Sequence, residues 1–149
     1  MTVNFPSVEW FEAVKELVNG DEAYRRIGTC DATVGISIPD SQKHFLLTFE
    51  AFECLGAREA TQSEAEDADF YLEMPYEGWE EMLRNIKEHG GADLQHTLNT
   101  LDLNDPQGLA RSRDGYRRDL FYRFNESFQY FFDASHRLST RFLNQRSTP

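Results

Sequence analysis

The alternation of apolar and polar residues predicts helices and then a β-hairpin in the first third of the chain. A helix is predicted over residues 7–18, where apolar side chains recur at helical spacing: Trp10, Phe11, Val14, Leu17 and Val18. Asp21 can cap a short second helix. The period then changes to two over residues 32–38 and again over residues 44–52. Because Pro39-Asp40-Ser41 breaks the run between them, the two segments are predicted to form a β-hairpin.

The middle of the chain predicts two more strands and a second amphipathic helix. Residues 53–61 and 69–74 have the alternation of strands. Pro75 opens a helix that His89-Gly90-Gly91 ends, and its apolar face consists of Trp79, Met82, Leu83 and Ile86. Residues 93–103 fit either a helical turn or a short strand. The terminal segments 1–6 and 140–149 are expected to be flexible.

The last predicted element is a helix of about twenty residues whose apolar face is aromatic. That face consists of Tyr116, Leu120, Phe121, Phe124, Phe128, Phe131 and Phe132, and only Arg117 and Ser127 interrupt it. Each large ring buries about 150 Å² or more, so exposing the whole face would forfeit stabilisation comparable to the net stability of a domain. The face must therefore be covered, whether by a sheet, by an apolar ligand or by a second subunit.

Composition indicates one acidic globular domain. The 149 residues are 40% hydrophobic and 28% charged, which is ordinary for a single domain that needs no disulfide or metal ion to stabilise it. A net charge of −11 disfavours nucleic acid and anionic membrane surfaces as partners. Acidic residues concentrate between positions 50 and 88, and arginines between 111 and 146. The two regions are either solvated faces of opposite sign or segments that match each other within the chain. Alternatively, they form a self-complementary surface that supports a homodimer.

Cysteine usage and hydropathy predict a cytoplasmic protein with reduced thiols. Cys30 and Cys54 are isolated, without metal-ligand spacing. No signal-peptide pattern is readable at the N-terminus, and no apolar run approaches the length of a membrane span. We therefore expect no stable membrane insertion.

Candidate chemistry is sparse, because the motifs of nucleophilic hydrolases, zinc proteases and nucleotide-binding loops are absent. Three groups of titratable residues have suggestive spacing: His89, Asp93 and His96; Asp133 and His136; and Asp67 with Asp69. Two glycines interrupt the helix that would align the first group as metal ligands. The second is more typical of a helix-surface ion pair than of an acid–base pair, and the third belongs to an acidic loop. The sequence therefore predicts no catalytic residue, metal or cofactor.

One stretch of sequence and the order of elements resemble a known family. The stretch is Ala68-Asp69-Phe70-Tyr71-Leu72-Glu73, followed by Tyr76-Glu77-Gly78-Trp79-Glu80-Glu81-Met82-Leu83. A strand that begins with Ala-Asp and precedes a helix with a central tryptophan resembles the corresponding segment of the sterol-carrier-protein lipid-transfer family. The order of elements resembles that family over residues 7–132. Two features depart from the family pattern. His89-Gly90-Gly91 stands where the family usually has a glycine–lysine pair, and the final helix is longer and more aromatic.

The resemblance implies an α+β fold with a five-stranded, mainly antiparallel sheet covered by helices, and a hydrophobic tunnel. Family members bind sterols, fatty acids or acyl-CoA thioesters and have no catalytic residues of their own. Carried over by position, the tunnel walls would be Phe45, Leu47, Phe49, Trp79, Met82, Leu83, Phe121, Phe124, Phe128 and Phe131. The expected function is therefore non-catalytic binding or carriage of a hydrophobic small molecule.

Two other functions stay open at this point. A small α+β cone of the ketosteroid-isomerase type has a similar length and an aromatic cavity. Such cones place polar groups inside, whereas the predicted inner strand faces here carry no carboxylate. Alternatively, the aromatic face packs against a second chain, and the protein is a homodimer without a ligand.

Overall fold

The chain folds into a sheet with helices packed on it. The computed structural model describes residues 2–27, 31–50, 53–113 and 115–143, apart from the side chains of residues 115–118. Its strands are β1 (Thr2–Phe5), β2 (Ala32–Ile38), β3 (Lys43–Glu50), β4 (Glu53–Glu59), β5 (Phe70–Glu73), β6 (Ala110–Arg111) and β7 (Ser139–Phe142). Its α-helices are α1 (Val8–Asn19), α2 (Glu22–Arg26), α3 (Gln62–Glu66), α4 (Tyr76–His89), α5 (Leu98–Asn104) and α6 (Gly115–Asp133). Phe52 and Cys30, together with the side chains of Tyr116 and Arg117, lie outside the described part.

The main sheet has five strands in the order β4-β3-β2-β5-β6 and is mixed. The pairs β2–β3, β3–β4 and β5–β6 are antiparallel, as expected, but β2 and β5 pair in parallel, with Val34 beside Phe70 and Ile36 beside Leu72. The chain leaves β4, crosses through α3 and returns beside β2, which is the kind of crossover that a parallel pair requires. The segment of α3 was expected to be an acidic loop. Instead, Thr61 and Glu64 form a capping box that starts a short helix.

One face of this sheet is apolar and lies under helices, because the strands alternate with a period of two. Its buried residues are Val34, Ile36, Ile38, Phe45, Leu47, Phe49, Phe70 and Leu72. The opposite face is covered locally by α3. There Gly35 permits a close approach, since an added Cβ would lie 2.4 Å from the Ala65 carbonyl oxygen. The apolar face therefore positions the candidate site.

Helix α1 covers the edge of the sheet and satisfies its backbone. Ser7 caps the helix by accepting a hydrogen bond from the Trp10 amide. The Asn19 side chain donates to the Cys54 carbonyl (2.8 Å) and accepts from the Cys54 amide (2.9 Å). The Glu12 carboxylate accepts from the Ala57 amide at 2.8 Å. These bonds occupy outward-facing groups of β4 that would otherwise be open to pairing with another chain.

The ends of the described chain form a second, two-stranded sheet. Strands β1 and β7 pair in parallel from Thr2 beside Ser139 to Phe5 beside Phe142. Phe5 is fully buried against the core, and the Trp10 indole N–H donates to Thr140 Oγ1 at 3.1 Å. Residues 2–5 and 140–142, which belong to the two segments that we expected to be flexible, are therefore paired, whereas residues 1 and 144–149 lie outside the described part. The pairing joins residues far apart in sequence, so local patterns do not indicate it.

The acidic and arginine-rich regions meet within the chain. Arg111 Nη1 lies 2.6 Å from Glu73 Oε2, and Arg113 pairs with both Glu66 and Asp67. These contacts tie the strand β6 region to the β5 side of the sheet. Among the described residues, none of the helices combines the length and the apolar composition that a membrane span requires.

Candidate functional site

Helix α6 covers the sheet with phenylalanine rings. The Phe128 ring centroid lies 5.3 Å from that of Phe49 and 5.2 Å from that of Phe70. Phe131 lies 5.5 Å from Phe49, and Phe121 lies 5.8 Å from Phe70. All four pairs meet edge to face, a favoured geometry for aromatic rings. The rings of the helix and the sheet therefore contact one another directly.

Helix α4 forms a second wall beside this cluster. Trp79, Met82 and Leu83 are buried, and the Trp79 indole N–H donates to the Ser37 carbonyl at 3.2 Å, which fixes the ring against β2. The Phe132 ring lies 5.8 Å from that of Trp79. Phe132 thus joins the α4 wall to α6.

The ten residues expected to line a tunnel are not all neighbours. Phe45 lies under α1, with its ring 5.0 Å from that of Phe11. Two rings that we did not include, Phe70 and Phe132, provide contacts that join the groups. Phe70 could have been found from its alternation with Leu72, and Phe132 from its place in the aromatic face. Nothing local in the sequence indicates that Phe11 meets Phe45.

Phe124 is the exception among the ten, because it is half-buried whereas the other nine are buried. It also interrupts the helix, with φ −112° and ψ 16°, so α6 bends at this residue. The next side chain, Asn125, has a buried Oδ1 atom without a hydrogen-bond partner among the described residues. The bend divides α6 into two parts.

Hydrogen bonds attach the second part of α6 to the start of α5 and to the segment that precedes α5. Gln129 Oε1 accepts from the Leu98 amide at 2.7 Å, and its Nε2 donates to Asp133 Oδ1 at 2.8 Å. Asp133 Oδ1 also accepts from the Ala92 amide. Burial raises the pKa of Asp133 above its ordinary value, although these hydrogen bonds oppose the shift. The carboxylate that we considered as a partner of His136 thus positions the helix.

The first part of α6 has its own attachment. The Tyr122 hydroxyl donates to Asp102 Oδ2 at 2.6 Å, and Asp102 Oδ1 accepts from the Ala110 amide at 2.9 Å. Asp102 is buried, so these bonds offset the cost of removing its carboxylate from water. Helix α6 is therefore held on both sides of its bend.

His96 forms an ion-pair cluster with α4. Its Nδ1 lies 2.7 Å from Asp93 Oδ1, and its Nε2 lies 2.7 Å from Glu81 Oε2. The hydrogen bond to Asp93, followed by the one to Glu81, raises the pKa of His96, while His96 and Asn85 lower the pKa of Asp93 to about 2. His89 instead contacts the Asn85 carbonyl oxygen. No cluster of three or more potential metal ligands occurs among the described residues.

The surface cavities lined by described residues include four near α4, α6 and the sheet. One, of about 600 Å³, lies beside the His96 cluster and is lined by charged and polar residues: Glu77, Glu80, Glu81, Arg84, Asn85, Glu88 and His96. A second, of about 320 Å³, is lined by Asp21, Gly90, Tyr130, Asp133, Ala134, His136 and Arg137.

The other two cavities each reach an expected tunnel residue. One, of about 380 Å³ at the end of the sheet, includes Phe49 with Ala32, Thr33, Thr48, Glu50, Asp31 and Asp69. The other, of about 190 Å³ between α4 and β7, includes Leu83. One cavity thus reaches a wall residue at the ends of β2 and β3, and the other reaches one on α4.

The fold defined by these elements is that of sterol carrier proteins. A crystal structure of sterol carrier protein 2 superimposes with a TM-score of 0.60 and 19% identity, over 89% of this chain and 97% of that chain. A solution structure of a conserved hypothetical protein from Thermus thermophilus, suggested to be a sterol carrier protein, gives a TM-score of 0.56 and 18% identity, over 85% and 86%. No protein-family profile and no curated protein matches the sequence. At these identities, the likeness confirms the resemblance at the level of the fold.

Proposed function

We propose that the protein binds or carries a hydrophobic small molecule, such as a lipid, a fatty acyl chain or a polycyclic compound, and does not transform it. The observation that carries this proposal is the contact between α6 and the sheet, because phenylalanine rings form it from both sides. The fold in which this contact occurs is shared with sterol carrier proteins. Flat apolar walls suit an apolar ligand whose position is set by shape.

The ligand would lie between the sheet and the two helices α4 and α6. The proposed walls of this space are nine of the residues that the sequence suggested, with Phe70 and Phe132 added from the packing: Leu47, Phe49, Trp79, Met82, Leu83, Phe121, Phe124, Phe128 and Phe131. The tenth, Phe45, packs against Phe11 of α1 and lies beside this space. The rings contact one another across this space, so binding requires some of them to separate. Each ring pair contributes about 0.5–1.5 kcal/mol beyond its buried area. An apolar ligand restores similar contacts, which makes the exchange feasible.

The bend at Phe124 favours the first part of α6 as the part that moves. The second part is fastened through Gln129 and Asp133 to the segment around α5. The first part includes the half-buried Phe124 and is attached to Asp102 through Tyr122. Outward movement of this part would separate Phe121 from Phe70 and open the space between α6 and the sheet.

The direct test is native mass spectrometry of the purified protein, followed by solvent extraction and identification of any released compound. Purified apo-protein is then titrated with oleate, cholesterol and phenanthrene while tryptophan fluorescence is recorded. Trp79 belongs to the proposed wall, and a Trp10→Phe variant isolates its signal. We expect saturable binding of at least one compound, weakened in Phe128→Ala and unchanged in the exposed control Leu94→Ala. An apo-protein that binds none of the three, whether monomer or dimer, overturns the proposal.

A further inference from the structure

The small cavity between α4 and β7 combines cationic and apolar walls. Its volume is about 190 Å³, and its lining is Leu83, Arg84, Lys87, Glu88, Ser135, Ser139, Thr140 and Phe142. This volume is below the ~300–1,000 Å³ of cavities that enclose a whole ligand, but it is sufficient for a polar head group. The lining residues therefore indicate which head group fits.

Lys87 provides a cation in a fixed position. Its Nζ donates to the carbonyl oxygens of His136 (3.0 Å) and Leu138 (2.9 Å). An ammonium has three N–H donors, so one is left for a ligand. No carboxylate of the described residues forms an ion pair with Lys87, although the protein as a whole carries a charge of −11. The described partners of the ammonium are therefore neutral carbonyl groups.

Arg84 adds a second cation on the same wall. Its Nε donates to Glu80 Oε2 at 2.7 Å, and its guanidinium carbon lies 4.4 Å from the Phe142 ring centroid. The aromatic ring favours a cation above its face and orients the guanidinium. The two terminal nitrogens have no hydrogen-bond partner among the described residues. Arg84 forms this ion pair with Glu80, which lies outside the lining, so the positive charge that the lining offers an anion comes mainly from Lys87.

Hydroxyl groups and one apolar residue complete the cavity. Thr140 Oγ1 accepts from the Trp10 indole N–H, so its own O–H remains available as a donor. Ser135 belongs to the lining although its side chain is almost fully buried. Leu83 forms the inner wall and is also one of the residues proposed to contact the apolar part of the ligand. The cavity therefore presents hydrogen-bond donors beside an apolar wall.

We propose that this cavity binds the anionic head group, a carboxylate or a phosphate, of an amphiphilic ligand whose chain lies among the aromatic rings. This inference rests on the proposed function and specifies its ligand class. Lys87 and Arg84 neutralise the anion, since charge-assisted hydrogen bonds to such groups are stronger than neutral ones. The head group stays at the surface, so the charge is never transferred into the core.

The test compares three ligands that share one chain: oleate, oleyl phosphate and oleyl alcohol. Their dissociation constants are measured by isothermal titration calorimetry for the wild type, Lys87→Gln, Lys87→Arg and Glu88→Gln. We expect Lys87→Gln to weaken oleate or oleyl phosphate about tenfold, the effect of one hydrogen bond to a charged group, and to change oleyl alcohol less than about twofold. Lys87→Arg retains most of the affinity, and Glu88→Gln strengthens anion binding about twofold. If Lys87→Gln weakens oleate more than oleyl phosphate, the preferred head group is a carboxylate; if it weakens oleyl phosphate more, the preferred head group is a phosphate.

The titration of the bound ligand distinguishes a direct contact between Lys87 and the head group from a purely structural role of Lys87. Oleate labelled with ¹³C at the carboxyl carbon reports its pKa when bound, and this pKa is expected to be higher in Lys87→Gln than in the wild type. Equal effects of Lys87→Gln on oleate, oleyl phosphate and oleyl alcohol, with an unchanged carboxyl pKa, overturn the head-group site alone. Failure of all three oleyl ligands to bind, while cholesterol or phenanthrene binds, overturns the head-group site and leaves the proposed function standing; failure of cholesterol and phenanthrene as well overturns both.

Discussion

The rings of Phe49 on β3 and Phe128 on α6 meet edge to face, with centroids 5.3 Å apart and planes at 71°. Phe49 lies directly after a register shift in the β3–β4 pairing, where Phe49 pairs with Cys54 and Leu55 is skipped. The extra residue belongs to β4, which a bulge of this kind bends, whereas Phe49 keeps the regular pairing of β3 with β2. The contact between the sheet and α6 therefore follows from the regular alternation of β3, with the irregularity confined to the edge strand.

Replacement of Phe128 by alanine tests how much this contact stabilises the fold. Because the ring is buried and contacts both Phe49 and Phe70, we expect the free energy of unfolding to fall by about 3–5 kcal/mol in Phe128→Ala. Phe124→Ala is the matched control, and the loss should be clearly smaller because Phe124 is half-buried. Urea denaturation followed by circular dichroism measures both. Equal losses in the two variants would contradict the packing described.

Gln129→Ala tests the attachment of α6 to α5. The side chain bonds the Leu98 amide and Asp133, so its removal leaves a buried amide without its partner. We expect a loss of about 1–2 kcal/mol and faster hydrogen exchange at the Leu98 amide. Asn99→Ala, an exposed change in the same helix, should alter neither quantity. Unchanged exchange at Leu98 in Gln129→Ala would argue against this attachment.

The His96 cluster predicts a pH dependence of stability. The pKa of His96 is raised above 6.5, so its stabilising contribution is fully present below pH 6.5 and is lost as the pH rises through the folded-state value. The pKa of Asp93 is lowered from 3.8 to about 2, so its contribution is present above pH 3.8 and is lost as the pH falls toward 2. Asp93 and Glu81 face the imidazole from its own segment and from α4.

We therefore expect His96→Gln to remove much of the decline in unfolding free energy on the alkaline side of pH 6.5. Urea titrations at a series of pH values measure this slope. His89→Gln is the control, because His89 is exposed and contacts only a backbone carbonyl oxygen among the described groups. A slope that is the same in the wild type and in His96→Gln would show that the cluster does not contribute.

Gly35→Ala tests the close approach of α3 to the sheet. The added Cβ would lie 2.4 Å from the Ala65 carbonyl oxygen and 2.8 Å from Tyr71 Cβ, so backbone must move. We expect a loss of about 1–3 kcal/mol, the usual cost of overpacking. At Gly56 on β4, the nearest atom to an added Cβ is Glu12 Oε2 at 3.7 Å, and Gly56→Ala should be nearly neutral. Thermal unfolding compares the two, and equal melting temperatures would refute the expectation.

Local features of the fold could be predicted from the sequence. The strand Ala32–Ile38 occupies the predicted range, and α1 (Val8–Asn19) lies within one residue of the predicted range 7–18 at each end. Helix α4 follows Pro75 and ends at Gly90, which adopts a left-handed conformation. These features depend on residues two to four positions apart, so periodicity and capping residues suffice to indicate them.

Long-range pairings could not be predicted in the same way. The parallel pair β2–β5 and the parallel pair β1–β7 join segments whose own patterns fit several partners. The short helix α3 depends on a capping box in a segment that otherwise looks like a solvated acidic loop. For the ten expected site residues, the sequence could indicate that most are buried, but it could not indicate that Phe45 packs against Phe11 of α1.

The sequence by itself determined that one face of the final helix is aromatic and too large to leave in water, because side-chain spacing and burial energy follow from composition and order alone. Only the tertiary structure decided what covers that face. Phe49 and Phe70 lie on strands far from α6 in the chain, and they reach Phe128 because the mixed sheet places β3 and β5 on either side of β2. The partners of a ring depend on this arrangement in space, which no local pattern specifies.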